Sequence, residues 1–421
     1  MKIAIFSDCY LDLTGGIVTV INAEKAELER RGHTVYVFSS AYPTTVTEQE
    51  TLAKNHIYPV PSCKFFGRGA TPIARRPAII EKWLHVKFPE LESFDIFYIH
   101  YEAGCSIAGI RLAHKYGIPA VQVMHGREDV GEENLIPYGL RTIVATALNW
   151  FHSWYLPHPI KVHRDDYLAT TTSRAKMWSL MVNHANSADL VITPSEHFRQ
   201  KLIHYGVTAP SIALHHKVNR ELIDSPATVR TLAPGEPLRL IWHSRVSGEK
   251  RPLVLLEALK IVQSQHSRDA YHLSVYGAGP DLSACAHYVR EHQLNVTFHG
   301  NTPFSDIWAD ICKSHLDVLI SYNYDTFGMT IIEAEAAGTP VLIADPDLAE
   351  IAPAGGYILS ASPSAPDIAT AIGNLLRAPL AVEQMSEVML SRRHELGIEV
   401  KAAQLEKLFT AAKSTLAASR T

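Results

Sequence analysis

The feature that most constrains this chain is an alternation of strand, glycine loop and helix that occurs in two separate series. Ile3 to Phe6 reads as a short apolar strand. It leads through Asp12-Leu13-Thr14-Gly15-Gly16 into a helical pattern from about Ile17 to Arg31, which Gly32 stops before the strand Thr34 to Ser39. Strand, helix and strand in that order bury their apolar faces by forming a parallel βαβ unit. The pattern recurs with strands at Phe94 to His100, Ala120 to Met124 and Leu190 to Thr193, and a helix from Gly104 to Tyr116. A polar, turn-rich stretch follows, from Pro210 to Pro237. The second series then has strands at Leu238 to Trp242, His272 to Tyr276, Val296 to His299, Val318 to Ser321 and Pro340 to Ile343, with helices at Pro252 to Gln265 and about Thr330 to Ala337. At 421 residues the chain is too long for one ordinary core. The expected class is α/β, with two Rossmann-like doubly wound parallel-sheet domains and an interdomain cleft. The expected divisions are 1–212, 213–396 and a terminal helix in 397–421 that packs back toward the first domain.

Composition narrows the function. Hydrophobic residues make up 47% and charged residues 19%, as in a folded globular chain, and the formal net charge of −4 argues against a basic nucleic-acid-binding face. No stretch offers the roughly 18 apolar residues that span a bilayer, and the opening residues do not read as a signal peptide because Asp8 interrupts a short apolar run. The five cysteines are scattered without a CxxC pair, so neither a zinc site nor a disulfide framework is expected. A cytoplasmic location fits best.

Two segments carry chemistry. In Trp242-His243-Ser244-Arg245-Val246-Ser247-Gly248-Glu249-Lys250-Arg251-Pro252, a strand ends, a glycine-containing loop follows and a helix begins. Arg245 and Lys250 there suit a diphosphate, through a bidentate guanidinium contact and a point charge; a basic pair taken alone is ordinary solvated surface. In Tyr324-Asp325-Thr326-Phe327-Gly328-Met329-Thr330-Ile331-Ile332-Glu333, an acid precedes a helix start that Gly328 allows to approach a ligand closely. The N–H groups from Phe327 to Thr330 suit negative charge, and Glu333 suits a ribose diol. An acid early in a helix is also explained by the dipole alone.

Together these segments resemble the carboxyl-terminal half of the retaining glycosyltransferases of family 4, which have the GT-B architecture. The likeness rests on Arg245 and Lys250, Asp325, Phe327-Gly328 and Glu333-Ala334-Glu335-Ala336-Ala337-Gly338-Thr339-Pro340-Val341. It extends to Gly277 in Tyr276-Gly277-Ala278-Gly279-Pro280, to Gly300-Asn301 after the strand near the nucleotide base, to Gly15-Gly16, to His125 in Val123-Met124-His125-Gly126 and to Pro194-Ser195-Glu196. The resemblance implies that Arg245 and Lys250 stabilise a leaving diphosphate, assisted by backbone N–H groups at Gly15, Gly16, Gly328, Met329 and Thr330. It implies that His125 meets the sugar, and that Asp325 and Glu333 position sugar and ribose, with front-face attack and no protein nucleophile. Position 325 is usually glutamate in the family; aspartate is one methylene shorter, so its contact to the sugar is expected to be altered or lost. With two cations and a helix end, and no Asp-x-Asp pair, no metal or other cofactor is expected.

The acceptor half is read more coarsely. Lys64, Phe65, Phe66, Arg68, Arg75, Arg76 and Trp83, the last within a possible helix from Ile73 to Phe88, interleave basic and aromatic residues as an anionic membrane surface would require. A helix packed on the first sheet with its cations outward is the alternative. Gly139 to Asn186, rich in Trp, Tyr, Leu, His and Arg, resembles an insertion of the diacylglycerol glycosyltransferases within the family. The expectation is hexose transfer from a nucleotide sugar, first UDP-glucose, to a lipid hydroxyl such as that of diacylglycerol, at the inner face of the plasma membrane and without nucleic acid. A soluble, polysaccharide or lipid-linked acceptor, a sugar-nucleotide epimerase of the same architecture and a non-catalytic sugar-nucleotide-binding protein are the alternatives.

Overall fold

A computed structural model describes residues 1–9, 16–40, 46–64 and 72–418. The chain divides into two compact units, 1–215 with 401–421, and 216–400. The first holds strands β1 (Lys2–Ser7), β2 (Thr34–Ser40), β3 (Ile57–Val60), β4 (Ser62–Lys64), β5 (Pro72–Ala74), β6 (Ile96–His100), β7 (Ala120–Val123), β8 (Leu190–Thr193) and β9 (Ser211–Ala213). Seven of them form one sheet in the order β3-β2-β1-β6-β7-β8-β9, every neighbour parallel. Both faces are covered, which explains why these strands read as continuous apolar runs. Phe6, Phe38 and Phe97 pack on one side with Ile107 and Ile110. Ile3, Ile5, Val37 and Tyr98 pack on the other with Ile21 and Leu28 of helix Gly16–Arg30. The terminal helix Ile398–Ala418 adds Ala402, Leu405 and Phe409 to that second face.

The second unit holds β10 (Leu238–His243), β11 (Tyr271–Tyr276), β12 (Val296–Gly300), β13 (Leu316–Leu319), β14 (Val341–Ile343) and β15 (Tyr357–Leu359). They form a parallel sheet in the order β12-β11-β10-β13-β14-β15. In each sheet the strand order reverses beside the unit's first strand, at β1/β6 and at β10/β13. In open α/β sheets the carboxyl ends of the strands at such a reversal are where ligands bind.

Three local expectations need correction. Ile73 does not belong to a helix: β4 and β5 form an antiparallel pair, and the helix runs Pro77–Lys87. Pro77 sets its start, since proline at the first helical position forfeits no hydrogen bond. The fourth strand of the second sheet ends at Leu319, two residues before the expected Ser321, and the stretch between 210 and 237 contains β9 and a short helix, Arg220–Asp224.

Glu335 in helix Met329–Ala337 is fully buried, and neither carboxyl oxygen has a hydrogen-bond partner among the described residues. Burial pushes its carboxyl up to about 7, against the pull of Arg392 and Lys217. A carboxyl raised in the folded state adds stability that is full below the unfolded value of about 4.5 and is lost as pH rises through 7. Glu335→Met keeps the volume and removes the charge, so its thermal midpoint at pH 8 is expected to rise by a few degrees. The wild type's loss between pH 4.5 and 7, up to about 3 kcal/mol, is expected to shrink in the variant. Identical pH–stability curves for the two proteins in thermal melts would show that this carboxyl is accommodated at no cost.

Candidate active site

In the second unit the residues singled out at β10 and β13 come together. The loop after β10 turns through Gly248–Lys250, and Pro252 opens helix Pro252–Gln265. Arg251, in the left-handed region at φ 62°, ties this loop down by donating to the carbonyls of Ile320 (3.2 Å) and Pro363 (2.5 Å). Lys250 Nζ lies 2.6 Å from Asp325 Oδ1, and Ser321 Oγ donates to the other carboxylate oxygen at 2.5 Å. The shorter aspartate therefore reaches the lysine directly and holds it at the strand-order reversal. The Arg245 side chain is 65% exposed and only 3.7 Å from Glu249, leaving its fork open to a bidentate partner.

Gly328 caps helix Met329–Ala337 at φ 77°; as a glycine it makes no side-chain cap, and the first turn holds no acid. Thr330 Oγ1 has no hydrogen-bond partner among the described residues. A helix start of this kind has backbone N–H groups that can take an anion. Phe327 itself packs into the core with Ile331 and Leu319, so only its backbone is available to a ligand.

Glu333 belongs to a triad that the sequence reading missed in part. His243, the last residue of β10, places Nε2 2.6 Å from Asp317 Oδ2 and Nδ1 3.5 Å from Glu333 Oε2. Burial alone would lower the imidazole, but the charge and hydrogen bond of Asp317, with Glu333 beyond, raise it. Burial pushes Glu333 up to about 7, with His243 opposing. The available signal was an acid at Asp317 inside an otherwise apolar strand, where an ionised side chain needs a partner.

The glycine turn after β11 has a structural task. A Cβ on Gly277 would stand 2.2 Å from the Ser244 carbonyl oxygen, and one on Gly279 would stand 2.1 Å from that of Val246. Val246 N–H donates to the Ala278 carbonyl and Ser244 N–H to that of Tyr276, both at 3.1 Å, so the turn braces the loop carrying Arg245. Gly277 N–H also donates to the Gly300 carbonyl at 2.8 Å, and Gly300 lies at φ 68° before the exposed Asn301.

In the first unit, Gly16 opens helix Gly16–Arg30, again with no acid in the first turn, while Gly15 lies outside the described residues. His125 follows β7 and is buried, its Nε2 2.8 Å from His100 Nδ1. Burial first, then His100, pushes His125 far below the usual histidine range, so it is neutral at physiological pH. Behind the pair stand Glu24 and Lys401, with Lys401 Nζ 2.5 Å from Glu24 Oε1 and Tyr98 OH donating to Glu24 Oε2 at 2.9 Å.

Three acids not singled out by sequence surround the same strand ends. Asp8 accepts from the N–H groups of Ala103, Cys105 and Ser106 and from Ser106 Oγ, capping helix Gly104–Tyr116. Tyr101, held at φ 88°, donates its hydroxyl to Glu128 Oε2 at 3.1 Å. Burial pushes Glu128 up to about 7, and burial with Glu128 and Asp8 pushes buried Glu102 well above the usual carboxylate range.

Of the residues read as a membrane face, Phe65, Phe66 and Arg68 lie outside the described residues, and Lys64 is placed only as the end of β4. Arg75 and Arg76 are exposed. Trp83 instead turns toward the core, 6.0 Å from the Phe88 ring, beside buried Ile80 and Leu84. Helix Pro77–Lys87 thus packs on the sheet side with its cations outward.

Comparison with known proteins identifies the family and the fold. The sequence model of the family described as Glycosyltransferase Family 4 matches residues 14–219, and the one described as Glycosyl transferases group 1 matches residues 237–378. The chain is 25% identical over 357 residues to an alpha-monoglucosyldiacylglycerol synthase of Streptococcus pneumoniae, covering 81% of this chain and 70% of that protein. It is 22% identical over 256 residues to a D-inositol 3-phosphate glycosyltransferase of an Arthrobacter species, covering 59% and 54%. Among solved structures, Anabaena Alr3699/HepE in complex with UDP superposes with a TM-score of 0.66 at 15% identity, covering 98% of this chain and 100% of that one. Sucrose-phosphate synthase of Thermosynechococcus elongatus superposes at 0.68 with 18% identity, covering 98% and 99%. The two matched segments, the two parallel sheets and the shared fold together place this chain among the family-4 glycosyltransferases of the GT-B fold.

Proposed function

We propose that this glycosyltransferase moves a hexose, glucose from UDP-glucose, to a hydroxyl group of a membrane lipid such as diacylglycerol, with retention of configuration. The observation that carries the donor half is the Lys250–Asp325 pair at the β10/β13 reversal, flanked by exposed Arg245 and the helix start at Gly328. Negative charge develops on the diphosphate as the glycosidic bond breaks. Donors already fixed around that charge stabilise the transition state without reorganisation. Two cations and a helix end supply the compensating positive charge, so the reaction is proposed to need no metal. Neutral His125 can hydrogen-bond a sugar hydroxyl, and the carboxyl groups of Glu102 and Glu128 can accept from an acceptor hydroxyl.

The name of the 25%-identical Streptococcus pneumoniae relative supports the lipid acceptor, and the UDP complex of the Anabaena structure supports the donor's base. No helix among the described residues is long and apolar enough to cross a membrane, so the enzyme is proposed to work peripherally, at the inner face of the plasma membrane.

The decisive assay offers UDP-glucose with and without diacylglycerol vesicles and identifies the products. Glucosyl-lipid formation is expected only with acceptor; consumption of the nucleotide sugar at equal rate without acceptor points to an epimerase instead. A second measurement probes Glu333. Its carboxyl accepts stronger, charge-assisted hydrogen bonds from the ribose diol when ionised than when protonated, so UDP-glucose binding is expected to tighten from pH 6 to pH 8. Glu333→Gln is expected to flatten that profile and to weaken binding at pH 8 about 10- to 100-fold, the worth of a charged hydrogen bond. Calorimetric titration at the two pH values reads both effects, and an unchanged profile in the variant removes Glu333 from the ribose site.

A further inference from the structure

Helix Arg141–Ser153 breaks the ordinary rule for a surface helix. One side is anchored in the first unit: Ala145 and His152 are buried, and Phe151 and Tyr155 pack against the core. Asn149 Nδ2 donates to the Lys176 carbonyl at 2.8 Å, and Arg111 donates to the carbonyl of Tyr155 at 3.1 Å. A chain of neutral histidines fixes the same side. Gln122 uses its amide N–H groups on the carbonyls of Tyr101 and Val123, so its oxygen faces His184 Nε2, 3.0 Å away. That nitrogen must carry the proton; His184 Nδ1 then accepts from His152 Nε2 (3.0 Å), and His152 Nδ1 accepts from His158 Nε2 (2.8 Å).

The opposite side of such a helix is normally polar. Here it carries Ile143, Ala147, Trp150 and, just past the end, Trp154, at steps of four, three and four residues that place them on one face. Ile143 is 64% exposed, Trp150 60% and Trp154 56%, the two indoles lying 4.1 Å apart. Tyr138, 82% exposed, and Leu140 extend the patch at the helix's amino end. From Leu135 to Arg164 there is no acidic residue, whereas Arg141, Lys161 and Arg164 are basic. Lys161 and Arg164 are exposed, in a segment held to helix Thr172–Ala185 by the bonds from Ile160 N–H to Asn183 and from Val162 N–H to Ser179.

We propose that this face, Tyr138, Leu140, Ile143, Trp150 and Trp154 with the neighbouring cations, docks the enzyme on an anionic lipid surface. Tryptophan and tyrosine are the residues suited to the boundary between headgroups and acyl chains, and cations beside them add attraction to anionic lipid. The segment itself carries no acid to be repelled there; Asp165 and Asp166 follow directly after Arg164. The anchored backbone presents the patch already formed, so docking orders little beyond the exposed side chains themselves. The proposal names the membrane-facing surface of the lipid-acceptor reading and moves it away from helix Pro77–Lys87.

The test compares full-length wild type, Ile143→Ser/Trp150→Ser/Trp154→Ser, and Arg75→Ser/Lys82→Ser. Each is sedimented with phosphatidylglycerol–phosphatidylcholine vesicles and with phosphatidylcholine vesicles alone. Wild type is expected to pellet with the anionic vesicles and much less with the neutral ones. The triple variant is expected to lose at least about tenfold in partition with an unchanged melting curve, because the replaced groups are exposed, while the Arg75/Lys82 variant stays near wild type. Tryptophan emission should shift to the blue with vesicles in wild type but not in the triple variant. Failure of wild type to pellet, or equal pelleting of the triple variant, overturns the proposal. So does a wild-type dimer in light scattering that the triple substitution turns to monomer, which would assign the patch to a second copy of the chain. Transfer to detergent-dispersed diacylglycerol separates the two readings: the triple variant is expected to retain it, and its absence from wild type would sink the lipid acceptor without touching the docking result.

Discussion

Replacing Lys250 by alanine is expected to lower kcat/KM for sugar transfer about 100- to 1,000-fold, the usual consequence of removing one donor from a preorganised charge-stabilising site. Lys250 stands 2.6 Å from Asp325 and is mostly buried, so its ammonium is held in one place before substrate arrives. A diphosphate leaving group gains charge in the transition state, so kcat should fall more than donor affinity. Arg245→Ala is expected to fall in the same range with a larger share in affinity, because the guanidinium is 65% exposed with Glu249 3.7 Å away, and a bound phosphate would order it further. The double variant should lose less than the product of the two, since both act on one charge. Steady-state kinetics with UDP-glucose, together with thermal shift to show folding, measures all of this. Near-wild-type turnover in both single variants would remove the diphosphate from this loop.

The second large effect is expected at the glycine turn. Gly279→Ala would put a methyl group 2.1 Å from the Val246 carbonyl oxygen, and Gly277→Ala would put one 2.2 Å from that of Ser244 at φ 121°. Those obstacles are backbone, not the yielding end of a side chain, so the Ser244–Val246 loop must move. Each substitution is expected to cost roughly 3 kcal/mol, from strained backbone and the displaced loop hydrogen bonds, seen as a lower midpoint for the second unit in denaturant unfolding. Nucleotide-sugar binding should weaken too, because the moving loop carries Arg245. Gly300→Ala serves as the contrast: nothing lies within 4 Å of its added methyl, and only its φ of 68° resists the change. A Gly279→Ala protein as stable as wild type would show that the loop accommodates the methyl group.

Much of the architecture is legible along the chain because a parallel βαβ unit writes itself locally. Helix Pro252–Gln265 begins at the proline and ends with its apolar stripe, and helix Gly104–Tyr116 runs from a glycine to the left-handed cap Gly117. The strands β3, β9 and β15 escaped the reading. They have three or four residues each and lie at or near sheet edges, too short for a period of two to register. The acids and histidines proved hardest. His243, Glu102 and Glu128 lie on or after separate strands far apart in the chain, and only Asp317, an acid inside an apolar strand, announces that it needs a partner.

By itself the sequence determined where strands and helices alternate and which residues repeat the spacing of family 4, because those properties depend on neighbours a few positions apart. Only the tertiary structure decided that Asp325 clasps Lys250 across 75 positions, that Gly277 and Gly279 brace a loop, and that Trp83 turns inward while Trp150 and Trp154 turn out. A side chain's direction and protonation follow from what the folded sheet brings beside it. Position along the chain does not contain that information.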